Sequence, residues 1–444
     1  MIRFLRVGVV MLGALGCTTP GSAGPPLTPE ARAHLMLQEG DTSGAVRLFE
    51  QLALEHPADL DVARGLTEAH VKNGTSQALI DRLASQDTAQ AHYIRGLVLF
   101  SRSADASGPA VVEFRRATQL SPEKPELAFR LGVALLESEQ FDEAKATLES
   151  AVKAAPERTS WLLPLAKAQF RAGDSKAAVA SIRGVMRHDP SVADAKTAKA
   201  LMQQIADPFA NFPKPAKPAL EQGLNWLQVA DIPQQAIVRF EEILHDYPDL
   251  AVVHALLGLA YSRIDDAGRA VDELRRAVEL APEDGENHLY LGELYLGRQR
   301  GAQAKEHFER AVEHNPTLSP AWFHLGDMAL ERQELDAARS AFLIAARLEP
   351  ENTNAHGKLA LVYQLDGNWP AADRELKTVV DREPENVEFM LRLGVLHTER
   401  FTKAKTPGEK KEATAEAAKW LEKVLEAQPE NALASRALER IKRP

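Results

Sequence analysis

Thirteen histidines and a single cysteine are the side chains of this sequence with the widest chemical reach. Imidazoles bind transition metals and move protons near neutral pH, and thiolates act as nucleophiles and zinc ligands. Metal binding needs several such groups to converge on one point. His92, His254, His288 and His356 do not converge. They occupy the same place in successive copies of a recurring unit, the place that Trp322 holds in another copy. His188 and His314 likewise share a place two residues before a closing proline, and His245 stands one residue earlier in its own copy. Equivalent side chains return about one repeat apart along a stack, so these histidines read as structural and no metal is expected. The chain contains no His-Glu-x-x-His, no glycine-rich phosphate loop and no Gly-x-Ser-x-Gly. No catalytic residue and no cofactor is therefore expected. Cys17 stands alone, which excludes an intrachain disulfide and a thiolate cluster.

The unit that sets these places is 34 residues long and is written three times between Ala251 and Asn352. Its first copy reads His254, Leu257, Gly258, Tyr261, Ala270, Leu274, Ala277, Pro282. The next reads His288, Leu291, Gly292, Tyr295, Ala304, Phe308, Ala311, Pro316, and the third Trp322, Leu325, Gly326, Ala329, Ala338, Phe342, Ala345, Pro350. Leu257, Gly258 and Tyr261 recur at helical spacing, and so do Ala270, Leu274 and Ala277, which predicts two helices per unit. Gly258 and Ala270 are small where the two helices must approach closely. Pro282 ends the second helix, because it lacks a backbone donor and clashes with the preceding turn. One such hairpin leaves an apolar side uncovered, so units must stack.

Eight spaced positions recurring without a slip resemble the tetratricopeptide repeat. The resemblance implies an all-α fold, a right-handed superhelical solenoid of stacked helix-turn-helix repeats, whose first helices line a concave side. A chain of 444 residues would otherwise suggest several globular domains, but a solenoid grows without enlarging one core. Its 53 basic and 63 acidic residues give a net charge of -10, which argues against a nucleic-acid partner.

Taken in order, residues 1–24 read as an export leader and tether. Arg3 and Arg6 precede an apolar run from Val7 to Gly16 that is too short to span a bilayer. Ala14-Leu15-Gly16-Cys17 resembles a bacterial lipoprotein processing site, though leucine stands one place later than in the commonest order. That resemblance implies lipidation of Cys17. Thr18, in place of the aspartate that retains such proteins at the inner membrane, implies the periplasmic face of the outer membrane. Ordinary cleavage after Ala23, giving a soluble periplasmic protein, is the alternative. A first array is expected over 26–204, a proline-rich joint over 205–218, and a second array over 219–431. Within the second array an insertion at 398–415, rich in lysine, is expected to form a basic loop. A capping helix and tail are expected over 432–444.

The concave side is where a partner is expected. On the first array its residues include Tyr93, Leu97, Phe100, Phe129, Val133, Leu163 and Phe170, an apolar strip suited to a protein partner unless successive first helices bury it. On the second array Arg263, Glu286, Glu293, Asp327, Glu331 and Glu399 give a more acidic strip. The expected function is a non-catalytic scaffold that holds envelope proteins in its groove during assembly of an envelope complex. Membrane contact would come through a lipid anchor rather than a transmembrane helix. A periplasmic component of exopolysaccharide export and a regulatory subunit of a peptidoglycan enzyme are the alternatives.

Overall fold

The computed structural model describes residues 27–102, 107–210 and 212–442. Residues 1–24, expected to be a leader and tether, and Cys17 among them lie outside the described residues. Among the described residues there are 24 α-helices and no strand, and the chain divides between Gly184 and Val185 into two compact units.

The first unit pairs α1 (Pro29–Glu39) with α2 (Thr42–Glu55), α3 (Leu60–Lys72) with α4 (Ser76–Leu83), and α5 (Ala89–Arg102) with α6 (Ser107–Leu120). It continues with α7 (Pro125–Glu137) and α8 (Phe141–Ala154), then α9 (Leu162–Arg171) and α10 (Ser175–Arg187). The boundary falls in the last turn of α10, and the first whole helix of the second unit is α11 (Val192–Ile205). Its hairpins are α12 (Lys217–Gln228) with α13 (Pro233–Asp246), α14 (Ala251–Arg263) with α15 (Ala267–Leu280), and α16 (Gly285–Gly297) with α17 (Gly301–His314). They continue as α18 (Ser319–Glu331) with α19 (Leu335–Leu348), α20 (Thr353–Leu365) with α21 (Trp369–Arg382), and α22 (Val387–Lys403) with α23 (Pro407–Ala427), closed by α24 (Ala432–Lys442).

First and second helices differ in sequence because they differ in surroundings. α14 packs against α13, α15 and α16, and buries Val253, Ala255, Leu256, Leu257, Gly258, Ala260 and Tyr261, so it is apolar nearly all round. α15 buries only Ala270, Val271, Leu274 and Ala277 and keeps a charged outer side. The two helices meet closely at one glycine. A Cβ on Gly292 would sit 2.7 Å from the Phe308 ring, and one on Gly326 would sit 2.7 Å from the Phe342 ring. No larger residue fits there without moving an aromatic side chain of the core. The turn between helices needs one left-handed residue. Asp265, Gln299 and Gln333 take it at φ 58°, 59° and 62°, and Gly367 takes it one repeat later at 76°.

Two segments, the end of the expected first array and the 398–415 insertion, differ in detail from their sequence expectations. The last stretch of the expected first array forms α11, which packs on α19 and so belongs with the second unit. Its Ser191 and Asp194 form a capping box. α11 buries Ala195, Ala198, Leu201 and Met202, and Lys199 Nζ reaches Glu349 at 3.3 Å. On α19, Ala341, Ile344 and Leu348 are buried along one stripe, whereas α17 carries His307, Arg310 and His314 at the same places. The proline-rich stretch after α11 packs rather than dangles. Phe212 and Ala216 are buried in one cluster with Leu220, Phe240 and Leu257, and Phe209 meets Phe212 edge-on at 6.1 Å. The lysine-rich insertion is helical rather than a loop. It lengthens α22 and α23, and only residues 404–406 connect them. Pro407 at the first turn and the capping box between Thr406 and Glu409 start α23. Lys403 lies 4.5 Å over the Trp369 ring and Lys410 5.5 Å over Phe401, so two of the basic side chains rest on aromatic faces.

Candidate protein-binding surfaces

The recurring histidines are fasteners between the first helix and the loop before it. His254 Nε2 donates to the Pro248 carbonyl at 2.9 Å, His288 to Pro282 at 3.1 Å, and His356 to Pro350 at 3.1 Å. The indole N–H of Trp322 does the same to Pro316 at 2.9 Å. A residue with a donor at this distance from the backbone is what the place requires, which is why tryptophan can replace histidine. The second ring nitrogen then binds across to the second helix. His254 Nδ1 meets Glu273 at 2.6 Å, His356 meets Glu375 at 2.6 Å, and His92 meets Glu113 at 2.7 Å. Facing Glu273 raises the His254 pKa against the lowering effect of its burial. Among the described residues no group of three or more His, Cys, Asp or Glu is arranged to hold a metal.

The apolar strip expected on the first unit divides in two. Tyr93, Phe129 and Val133 are buried and are not available as docking anchors. The physical reason is their place on the seam where successive first helices pack. Tyr93 Oη donates to Glu126 of α7 at 3.4 Å, and burial pushes its pKa up to about 12. Phe129 stacks on Trp161 with ring centroids 4.5 Å apart and planes 7° from parallel. Leu97, Phe100, Leu163 and Phe170 remain half-buried, with part of each side chain open to solvent. Nearby, Glu126 and Arg130 of α7 pair at 2.9 Å, so the strip has a polar border.

In the second unit the acidic strip is less acidic than its residues suggest. Asp327 is met by Lys358 at 2.6 Å and Glu293 by His324 at 3.6 Å, in each case by a side chain of the next repeat. Arg263 binds the Leu227 carbonyl and Asp231, both at 2.8 Å. Glu399 accepts from Gln364 at 3.0 Å. Burial raises the Glu286 pKa, helped by the neighbouring Asp284, and Glu331 is exposed. Leu361 and Leu365, one repeat after Asp327 and Glu331, are 37% and 57% exposed. This surface therefore mixes neutralised pairs with exposed leucines. A shallow pocket in the first unit, about 420 Å³ and lined by Glu139, Phe141, Asp142 and Arg171 among others, lies beside the turn between α7 and α8. Arg171 covers Phe141 there at 4.2 Å.

Paired helices, a small residue where the two helices cross and, in four successive repeats, a ring donor on the first helix to the preceding loop are thus built into the chain. Sequence models of the tetratricopeptide repeat match residues 110–162, 135–202, 251–284, 289–353 and 358–432. The chain belongs to the tetratricopeptide-repeat family. TPR proteins bind peptides or protein partners, and the TPR fold is in general a non-catalytic interaction scaffold. Among solved structures, this TPR chain is similar to YrrB, described as a TPR protein with an unusual peptide-binding site, at 19% identity and TM-score 0.39, over 45% of this chain and 97% of that one. PilF of Pseudomonas aeruginosa is similar at 17% identity and TM-score 0.42, over 50% of this chain and 95% of that one. The Cut9–Hcn1 assembly is similar at 16% identity and TM-score 0.38, over 93% of this chain and 89% of that one. Likenesses of this size do not carry a function across. No curated protein matches the chain.

Sequence reading missed Trp161, which holds Phe129, and the counter-charges Lys358 and His324. The signal for Lys358 was available. It lies 31 residues after Asp327, the spacing that also separates Glu293 from His324.

Proposed function

We propose that this TPR protein is a non-catalytic scaffold of a bacterial envelope that holds a protein segment against the first helices of its first unit. The observation that supports this reading is the half-exposed set Leu97, Phe100, Leu163 and Phe170 on α5 and α9. Aromatic rings on rigid helices offer large contact area for little lost side-chain freedom. The segment around Cys17 supports attachment through a lipid on that cysteine, at the periplasmic face of the outer membrane. Among the described residues no helix is long and apolar enough to cross a membrane.

Crosslinking in intact cells, followed by recovery of the full chain, tests the docking surface. Phe100→Ala and Phe170→Ala together should weaken capture of the partner by roughly 2 kcal/mol or more, about thirtyfold in affinity. A double variant with native helical circular dichroism that retains every partner would place recognition elsewhere. The membrane attachment has its own measurement. Cys17→Ser should move the protein from the membrane to the soluble periplasmic fraction, and a wild type already soluble there would end the anchor reading.

A further inference from the structure

The α16–α17 repeat departs from the arrangement that α14–α15 and α20–α21 share. At the place where Glu273 faces His254 and Glu375 faces His356, α17 carries His307, whose Nδ1 lies 3.0 Å from His288 Nδ1. His288 Nε2 is committed as donor to the Pro282 carbonyl, so His288 Nδ1 holds a lone pair and the proton between the rings comes from His307. His314 stacks on His288, with ring centroids 5.7 Å apart and planes at 16°. Three imidazoles therefore share a place that holds one imidazole and one carboxylate in α14–α15 and α20–α21.

We propose that the α16–α17 repeat is an acid-sensitive joint of the second unit. Protonation of the His288–His307 pair removes the ring-to-ring hydrogen bond and loosens this repeat, while the repeats with a facing carboxylate stay closed.

The surroundings decide the sign. From α15, Arg275 bears on His307, and its guanidinium is held on the Tyr295 hydroxyl at 2.9 Å. From α17 itself, Arg310 is an unfavourable neighbour of both rings and His314 of His288. Opposing them are Glu306 for His307 and Asp284, at the start of α16, for His288. On α18, His324 is turned to Phe308 and Glu293, and on α14, Arg263 is engaged with Asp231. Burial is the largest effect on each ring, holding His288 below its ordinary value and His307 down at about 4. A histidine whose folded pKa is depressed binds fewer protons folded than unfolded. Its closed form is thus favoured above pH 6.5 and loses stability as pH falls from there toward 4. In the sister repeat the sign is reversed, because Glu273 raises His254 and stability there holds on mild acidification.

The test is native-state hydrogen exchange of the full chain at pH 7.5 and 5.5, corrected for the intrinsic pH dependence of exchange. Protection of α16 and α17 should fall roughly tenfold at the lower pH from His307 alone, while α14–α15 and α20–α21 keep theirs. His307→Glu restores the arrangement of the sister repeats and should abolish the difference. His307→Gln should flatten it as well, since a neutral amide can turn its oxygen to accept a hydrogen bond from protonated His288. Equal protection at both pH values across the three repeats would overturn the proposal. So would an acid loss in His307→Glu as large as in the wild type.

Discussion

Phe342→Ala should destabilise the second unit by about 3–5 kcal/mol, the largest single loss expected from a conservative change in this chain. Phe342 is fully buried, lies in one core cluster with Ala329, Ala338, Leu359 and Val362, and meets Phe323 edge-on at 5.6 Å. Its ring also fills the space left by the absent side chain of Gly326. Removing it opens a cavity between α18, α19 and α20 at once. In a stack, stability is close to a sum of repeat terms and nearest-neighbour interfaces. The loss should therefore be strongest in α18–α21 and fade toward α12 and α24. Hydrogen exchange resolved by helix reads this directly. A uniform loss across the unit would mean that it unfolds as one cooperative body instead. Gly326→Ala should cost less, about 1–3 kcal/mol, because the Phe342 ring can shift slightly.

Most of this fold was legible because each unit repeats the same physical requirements at the same places. Gly292 and Gly326 facing Phe308 and Phe342, and the ring donors at His254, His288, Trp322 and His356, were visible as recurrences before their partners were known. The candidate site was less legible. Tyr93 and Phe170 lie on comparable first helices, yet one is buried at a helix seam and the other is half-open. A single-helix register does not show how closely the next first helix approaches. Charge was misjudged for a related reason, since Asp327 is neutralised by Lys358 from the following repeat. The lysines of the 398–415 insertion suggest a loop, although Thr406-Pro407-Gly408-Glu409 carries a helix-start signature. The docking of α11 left only an indirect trace, which is the apolar stripe on α19 where sister helices are charged.

That stripe supplies the second large effect. Ile344→Arg should release α11 from α19 while leaving α19 folded. Ile344 is buried on the side of α19 that carries Ala341 and Leu348, and the same place holds Arg276 in α15 and Arg310 in α17. The repeat therefore accommodates arginine there, and what arginine disturbs is the helix lying on it. An unpaired charge at a buried helix contact costs on the order of 3 kcal/mol. The exposed pair between Lys199 and Glu349 offsets little of that. A free helix of 14 residues is marginal in water, so α11 should unfold once it leaves. Trypsin provides the readout, because Lys196 and Lys199 sit within α11. Cleavage there should rise on the order of a hundredfold in Ile344→Arg, with α18–α21 keeping their exchange protection. Ala198→Glu, from the other side of the contact, should give the same result. If both variants resist trypsin as the wild type does, α11 is held by something other than the α19 stripe.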